Sequence, residues 1–241
     1  MRKAGRIYSS LFSSITLMCG FTDGFARPLD AQRTDTNSMA IEADRILATQ
    51  GFVGTISVSH DEVTRSGTLE GCSLVYKVVF PDTVYRKGRL HIAVGNITLS
   101  ALDNGNVVLS LKLGSRLLSS NDDSFEPPHF AYFVTSGGSS AKTESVSFDG
   151  EEGFRVFAFS MTDPAFNNIF QGLLDDKQVT IGFSRKDGSL DQRFVVDLLI
   201  EDSDMVNEKL VKTRSDNAKK KFFYCTGALF KDTIKKLESK E

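Results

Sequence analysis

The chain has 241 residues, with 29 Lys+Arg against 31 Asp+Glu and a formal net charge of −2. That balance excludes a global electrostatic pull toward nucleic acid or an anionic membrane. Three histidines, three cysteines and no tryptophan leave little from which to build a metal centre or a sugar-stacking cleft, and the length suits one large β domain with ample surface to bury.

Residues 1–6 carry Arg2, Lys3 and Arg6, residues 7–21 form a short apolar run diluted by serines, and Gly24-Phe25-Ala26 puts small residues around a cut. Residues 1–26 therefore read as a secretory signal peptide. A membrane anchor is the competing reading, but the run falls short of the roughly 20 apolar residues a bilayer requires. A lipoprotein acylated at Cys19 is disfavoured because Thr16-Leu17-Met18 lacks the small residues such a site wants. No later segment is long and apolar enough to cross a membrane, so the mature chain is expected to be periplasmic or secreted without a transmembrane segment. Cleavage removes Cys19 and leaves Cys72 and Cys225 in an oxidising compartment.

Residues 27–38 are polar and aperiodic, which predicts a flexible lead before a single domain over 39–241. Asn37 or Ser38 caps a short helix through Gln50, with Gly51 ending it, and Gly54 to Ser59 alternates like a half-buried strand. His60-Asp61-Glu62 then reads as a strand end before a turn, either a His–acid pair or a solvated turn. In the next stretch Cys72, Leu74, Tyr76, Val78 and Phe80 share one strand face, which turns the Cys72 thiol inward.

From Arg89 to Leu113 the apolar parity switches: Leu90, Ile92 and Val94 share one face, Ile97, Leu99 and Ala101 the other. A bulge at Gly95-Asn96 is the expected cause, and His91 falls on the polar face. A two-residue hairpin at Asn104-Gly105 would set Leu99 against Ser110. A three-residue loop instead sets Ala101 against Val107, Leu99 against Leu109 and Ile97 against Leu111, with Gly105 left-handed, and the apolar face selects it. Phe125, His129, Phe130, Tyr132 and Phe133 form an aromatic cluster after a flexible loop and two prolines. Phe125 and Tyr132 are a contact patch if that loop exposes them and core if it does not.

Further strands are expected at residues 129–135, 144–148, 154–160, 178–184 and 190–200, the third of them central because it is apolar on both faces. Between the third and fourth, Asp163 as N-cap, Pro164 and the stripe Phe166, Ile169, Phe170, Leu173 and Leu174 predict an amphipathic helix. A second helix at about 215–238 follows from Ala218, Phe222, Cys225 and Leu229 at helical spacing. If it packs on the strand of Cys72, the two cysteines meet in a disulfide; otherwise they are separate buried thiols. Its outer face carries Lys219, Lys220 and Lys221, part of a basic stretch with Lys209, Lys212, Arg214, Lys231, Lys235 and Lys236. That stretch is either a solvated helix face or a contact for an acidic partner.

The fold expected is a mainly β, single-domain antiparallel sandwich or flattened barrel with one inserted amphipathic helix and a C-terminal helix. The end of the chain, a strand over residues 193–200, a linker and Cys225 near a terminal helix, resembles small exported bacterial β-sandwich proteins such as the invasion-associated locus B group. It is a likeness of layout, and no residue role follows from it.

No nucleophile, phosphate-loop or dinucleotide motif is present, and His60, His91 and His129 stand at no metal-ligand spacing. No catalytic residue, cofactor or metal is expected. The expected role is a non-catalytic binding module with an envelope protein or acidic surface component as partner and no nucleic acid. The candidate surfaces are Lys219, Lys220, Lys221 and the pair Phe125 and Tyr132. The alternatives are a hydrolase of an envelope glycan or ester, which needs a cleft joining a histidine to a carboxylate of another strand, and a structural subunit of a secretion or surface assembly.

Overall fold

A computed structural model describes residues 29–102, 105–120, 123–142, 145–160, 162 and 164–238. The expected signal peptide at 1–26, the Asp103-Asn104 part of the hairpin turn and the Asp163 cap lie outside the described residues. In chain order the elements are α1 (Leu29–Thr49), β1 (Gly54–Arg65), β2 (Thr68–Asp82), β3 (Arg89–Ala101), β4 (Val107–Leu117), β5 (Phe130–Thr135), β6 (Gly138–Ser139), a 3₁₀ turn (Ser140–Lys142), β7 (Val146–Asp149), β8 (Arg155–Ser160), α2 (Pro164–Asp175), β9 (Gln178–Ser184), β10 (Gln192–Asp197), β11 (Ile200–Val206), β12 (Lys209–Arg214) and α3 (Asn217–Glu238). The fold is mainly β, with antiparallel sheets in a sandwich-like arrangement and a C-terminal helix, and none of the described helices is long and apolar enough to cross a membrane.

A six-stranded sheet runs β1-β2-β3-β4-β8-β7, a four-stranded sheet runs β10-β9-β5-β6, and β11 and β12 form a separate hairpin. Between the two larger sheets lies one core, to which β2 gives Cys72, Leu74, Tyr76, Val78 and Phe80, the alternation read from the sequence. Opposite them stand Ala131, Phe133, Ile181, Phe183, Phe194 and Val196 of the second sheet. Aromatic rings bridge the layers: Phe80 stacks on Phe194 at 4.9 Å and meets Phe183 edge-on at 6.0 Å, and Phe133 meets Phe159 edge-on at 5.5 Å.

The β3–β4 hairpin adopts the register demanded by its apolar face, with Ala101 opposite Val107, Leu99 opposite Leu109 and Ile97 opposite Leu111. Gly105 is left-handed at φ +81°, a conformation that costs a glycine little. The bulge expected in β3 is absent: its pairing with both β2 and β4 runs without a shift from one end to the other. The two apolar sets lie on opposite faces, and both faces are covered. Ile97 and Leu99 enter the central core, while Leu90 and Ile92 join Val79 in a second cluster with Leu47 of α1. Asp44 of α1 is buried and accepts from the Arg89 side chain and from the Leu90 amide at 3.2 Å, which fixes the helix on that outer face. Strict alternation also puts His91 on the core face, against the expectation of a polar one.

Helix α1 ends where Gly51 turns at φ +89°, and its start at Leu29 takes in most of the segment read as a lead. Its polar composition without a Gly is compatible with helix even where no apolar stripe announces it. The expected strand over 190–200 divides: β10 ends at Asp197, whose carboxylate accepts from the Leu199 amide at 3.0 Å, and β11 starts at Ile200. Strand β8 lies one position from the sheet edge, since β7 pairs outside it.

Helices α2 and α3 close the sandwich with the residues their periodicity named. Phe166, Ile169 and Leu173 of α2 are buried, as are Ala218, Phe222, Cys225 and Leu229 of α3. Cys225 reaches Cys72 in a disulfide with Cα atoms 5.9 Å apart, across a sequence separation of 153 residues. A loop of that size gives up about 5 kcal/mol of unfolded-state entropy in the chain-entropy model.

Candidate functional site

Three residues of the basic stretch, Arg214, Lys219 and Lys220, meet at a groove at the start of α3. The helix begins after Ser215-Asp216: the Asn217 amide donates to Ser215 Oγ at 3.1 Å, and Lys220 N–H makes the first helical bond to the Asp216 carbonyl at 2.9 Å. Helical spacing then sets Lys219, Lys220 and Phe223 along one side. Facing them are the last turn of α2 (Leu174, Asp175), Lys177, the link between β10 and β11 (Leu199) and the end of β12 (Arg214). The groove encloses about 540 Å³.

Leu174, Leu199 and Phe223 give it a half-buried apolar floor. Its charged lining is Lys177, Arg214, Lys219 and Lys220 against Asp175 and Asp216, an excess of two positive charges on a chain that is acidic overall. Lys219 Nζ donates to the Asp176 carbonyl, and partial burial lowers its pKa, opposed by Asp176, Asp175 and Asp216. Lys220 pairs with Asp216 at 3.0 Å and Arg214 with Asp197 at 2.8 Å, both near solvent, where pairing is weak and exchangeable. Lys177 makes no ion pair among the described residues.

Of the three lysines singled out in the sequence, Lys219 and Lys220 line this groove and Lys221 does not. Lys212 is taken elsewhere, donating to the Val53 carbonyl at 2.9 Å. Sequence reasoning missed Lys177, Leu199 and the α2 end, because strand and loop topology, not spacing, brings them to the helix. The aromatic surface is not formed. Tyr132 is 1% exposed, donates to Asp191 Oδ2 at 2.8 Å and accepts from Arg193 Nε at 3.0 Å. Phe125 is half-buried against Phe154 at 5.0 Å, with the Arg116 guanidinium over its ring. The loop pairs back onto β4 through reciprocal Ser115–Glu126 backbone bonds, which is why the patch closes.

A second polar cluster, invisible in the sequence, sits where β2, β3, β4 and β9 meet. Asp82 is 0% and His91 1% exposed, and the Arg185 side chain reaches in to both. Arg185 Nη2 lies 3.5 Å from Asp82 Oδ2 and 3.3 Å from Ser115 Oγ, and donates to His91 Nδ1 at 3.2 Å; Nη1 pairs with Glu126. Because the guanidinium only donates, Nδ1 accepts and the imidazole proton sits on Nε2. That nitrogen is 3.9 Å from Asp82 Oδ2, beyond hydrogen-bond range. Burial drives the His91 pKa down to about 4, with Arg185 and Arg86 pushing the same way and Asp82 and Glu126 opposing. Histidine and carboxylate come from different strands, but the pair is sealed.

The remaining histidines are unlike it. His60 lies in the middle of β1, not at a strand end: β1 continues to Arg65, with His60 opposite Leu74 and Glu62 opposite Cys72. Both side chains face the disulfide under α3. Burial lowers the His60 pKa; Glu62 raises it, Lys221 lowers it and Asp61 raises it. His129 is exposed, 3.9 Å from Asp187. The groove and two smaller cavities, near Leu237 and near Arg65, have no histidine in their linings.

No protein-family model, no curated protein and no solved structure matches the chain.

Proposed function

We propose that the chain is an exported, non-catalytic interaction module of a bacterial cell envelope, and that the groove at the start of α3 takes an acidic segment of an envelope protein. The observation that carries this reading is the lining itself, cations in excess around an apolar floor, a chemistry suited to carboxylates interleaved with apolar side chains. The Cys72–Cys225 disulfide agrees with an oxidising compartment, and residues 1–26 have the composition of an export signal. The hydrolase alternative is less well supported, because His91 and Asp82 are sealed from solvent at 1% and 0% exposure.

The test is titration of the purified chain with a peptide of alternating Glu and Leu, in parallel with phosphatidylglycerol vesicles. The wild-type chain binds the peptide, and added salt weakens the complex. The triple variant Lys177→Glu, Lys219→Glu, Lys220→Glu loses about tenfold or more in affinity through like-charge repulsion. Lys231→Glu with Lys235→Glu, farther along α3, leaves it unchanged. Equal affinity in wild type and triple variant removes the groove as the site, and vesicle binding without peptide binding reassigns it to a lipid surface. Intact mass of the envelope-derived protein, starting at Arg27 and showing two alkylations only after reduction, checks the export half of the reading. Retention of Met1 with three free thiols overturns it.

A further inference from the structure

We propose that the dithiol form of this chain binds a thiophilic divalent cation, zinc, between Cys72, Cys225, His60 and Glu62, where α3 covers β1 and β2. Antiparallel pairing sets Glu62 directly opposite Cys72, and His60, two residues earlier, projects from the same face of β1. Helix α3 then lowers Cys225 onto this corner. A Cys225 sulfur, a His60 ring nitrogen and a Glu62 carboxylate oxygen lie within 4.8 Å of one another, and the Cys72 sulfur is bonded to that of Cys225.

Zinc takes thiolate at about 2.3 Å and imidazole at about 2.0 Å in tetrahedral array, so its donor atoms stand roughly 3.3–3.8 Å apart. The Cys225, His60 and Glu62 donors therefore need a contraction of about 1 Å at most toward the metal, and the Cys72 sulfur, outside that set, must rotate away from its partner to join them. His60 Nε2 adds an independent sign. It is buried and has no hydrogen-bond partner among the described residues, whereas buried polar atoms in folded proteins are nearly always satisfied. Glu62 is exposed and completes the set as a carboxylate arriving from the solvent side.

The site and the disulfide exclude each other. While Cys72 and Cys225 are joined, neither sulfur is a thiolate. A dithiol reductant delivers two electrons and two protons, closing to its own cyclic disulfide and leaving two cysteine thiols. Zinc then binds as both thiols give up their protons to solvent. A disulfide-class oxidant reverses the sequence, taking two electrons from the thiolates as the metal departs. In this state the metal replaces the covalent bond as the tie between α3 and the sheet, so the C-terminal helix is held before oxidation as well as after it. This inference does not depend on the groove, which lies at the other side of the α3 start.

The experiment uses the full chain, reduced with dithiothreitol, freed of reagent by gel filtration under argon and titrated with Co²⁺ as a spectroscopic stand-in for zinc. The expected result is a single equivalent bound, with sulfur-to-cobalt charge-transfer absorption in the near ultraviolet, intense visible bands of a tetrahedral centre, and competitive loss of both on adding Zn²⁺. The oxidised chain shows neither feature. His60→Gln, its fold verified by circular dichroism in the oxidised form where the disulfide holds it, loses the tetrahedral bands after reduction. Absence of charge-transfer absorption in the reduced wild type overturns the proposal. So does an unchanged spectrum in His60→Gln, which would assign the cobalt to the thiols alone.

Discussion

Two regions of this molecule collect charge, and they do it in opposite surroundings. At the Asp82–His91–Arg185 corner the carboxylate and imidazole are sealed from solvent and the guanidinium side chain is 11% exposed. In the groove at the start of α3 the Lys220 side chain is 62% exposed, and it can exchange its partner Asp216 for another anion. A sealed pair locks strands together because leaving either member alone in a low dielectric is costly. An open cationic rim contributes little to stability and is available to a partner. Residue type does not separate the two regions; solvent access does.

The largest effect is expected at the sealed corner. Arg185→Met removes the guanidinium that faces Asp82, His91, Ser115 and Glu126 together, leaving a buried carboxylate unpaired. A loss of about 3–5 kcal/mol in urea-induced unfolding follows, with peptide binding in the groove intact on the fraction that stays folded. A loss below about 1 kcal/mol, the range of solvated pairs, would collapse the contrast between the regions.

An intermediate effect comes from acid. The unfolded chain protonates His91 near the ordinary histidine value of 6.5, whereas burial and Arg185 hold the folded group neutral until about pH 4. Between those values the unfolded state binds more protons, so stability is complete above pH 6.5 and falls as pH drops toward 4. The loss is roughly 3 kcal/mol from this group. The check is the urea midpoint of wild type and His91→Gln at pH 7, 5 and 4. The variant lacks this component and loses less on acidification; parallel losses would mean that His91 is hydrated in solution.

The same contrast marks what could be read from the sequence. The β3–β4 register was legible because only one pairing puts Leu99 on Leu109 and Ile97 on Leu111, and α3 was legible because Ala218, Phe222, Cys225 and Leu229 recur at its period. The error at β3 has a physical root. A parity switch implies a bulge only where a single face of a strand is buried, and α1 covers the outer face as well, so Leu90 and Ile92 need no bulge to reach an apolar environment. A bulge leaves His91 on a polar face, whereas unbroken alternation carries it into the sealed corner. Of the groove, Arg214 and the α3 lysines were visible, as part of a basic stretch. Lys177 and Leu199 reach it from elements far apart in the chain, and nothing in local spacing records a meeting that sheet topology arranges.

The smallest effects are expected in the groove, and their smallness carries the argument. Lys220→Ala breaks an exposed pair four residues apart on a helix, a change of about 0.5 kcal/mol or less. Lys219→Met gives up the bond to the Asp176 carbonyl, about 1 kcal/mol, together with the approach of Nζ to the Phe223 ring. Unfolding curves should therefore nearly superimpose on wild type, with Lys219→Met the lower of the two, while peptide affinity falls in both. That separation distinguishes a recognition surface from a brace. If Lys220→Ala unfolds several kcal/mol earlier, its pair with Asp216 is fastening the start of α3, and the groove belongs with the sealed corner as part of what holds the fold.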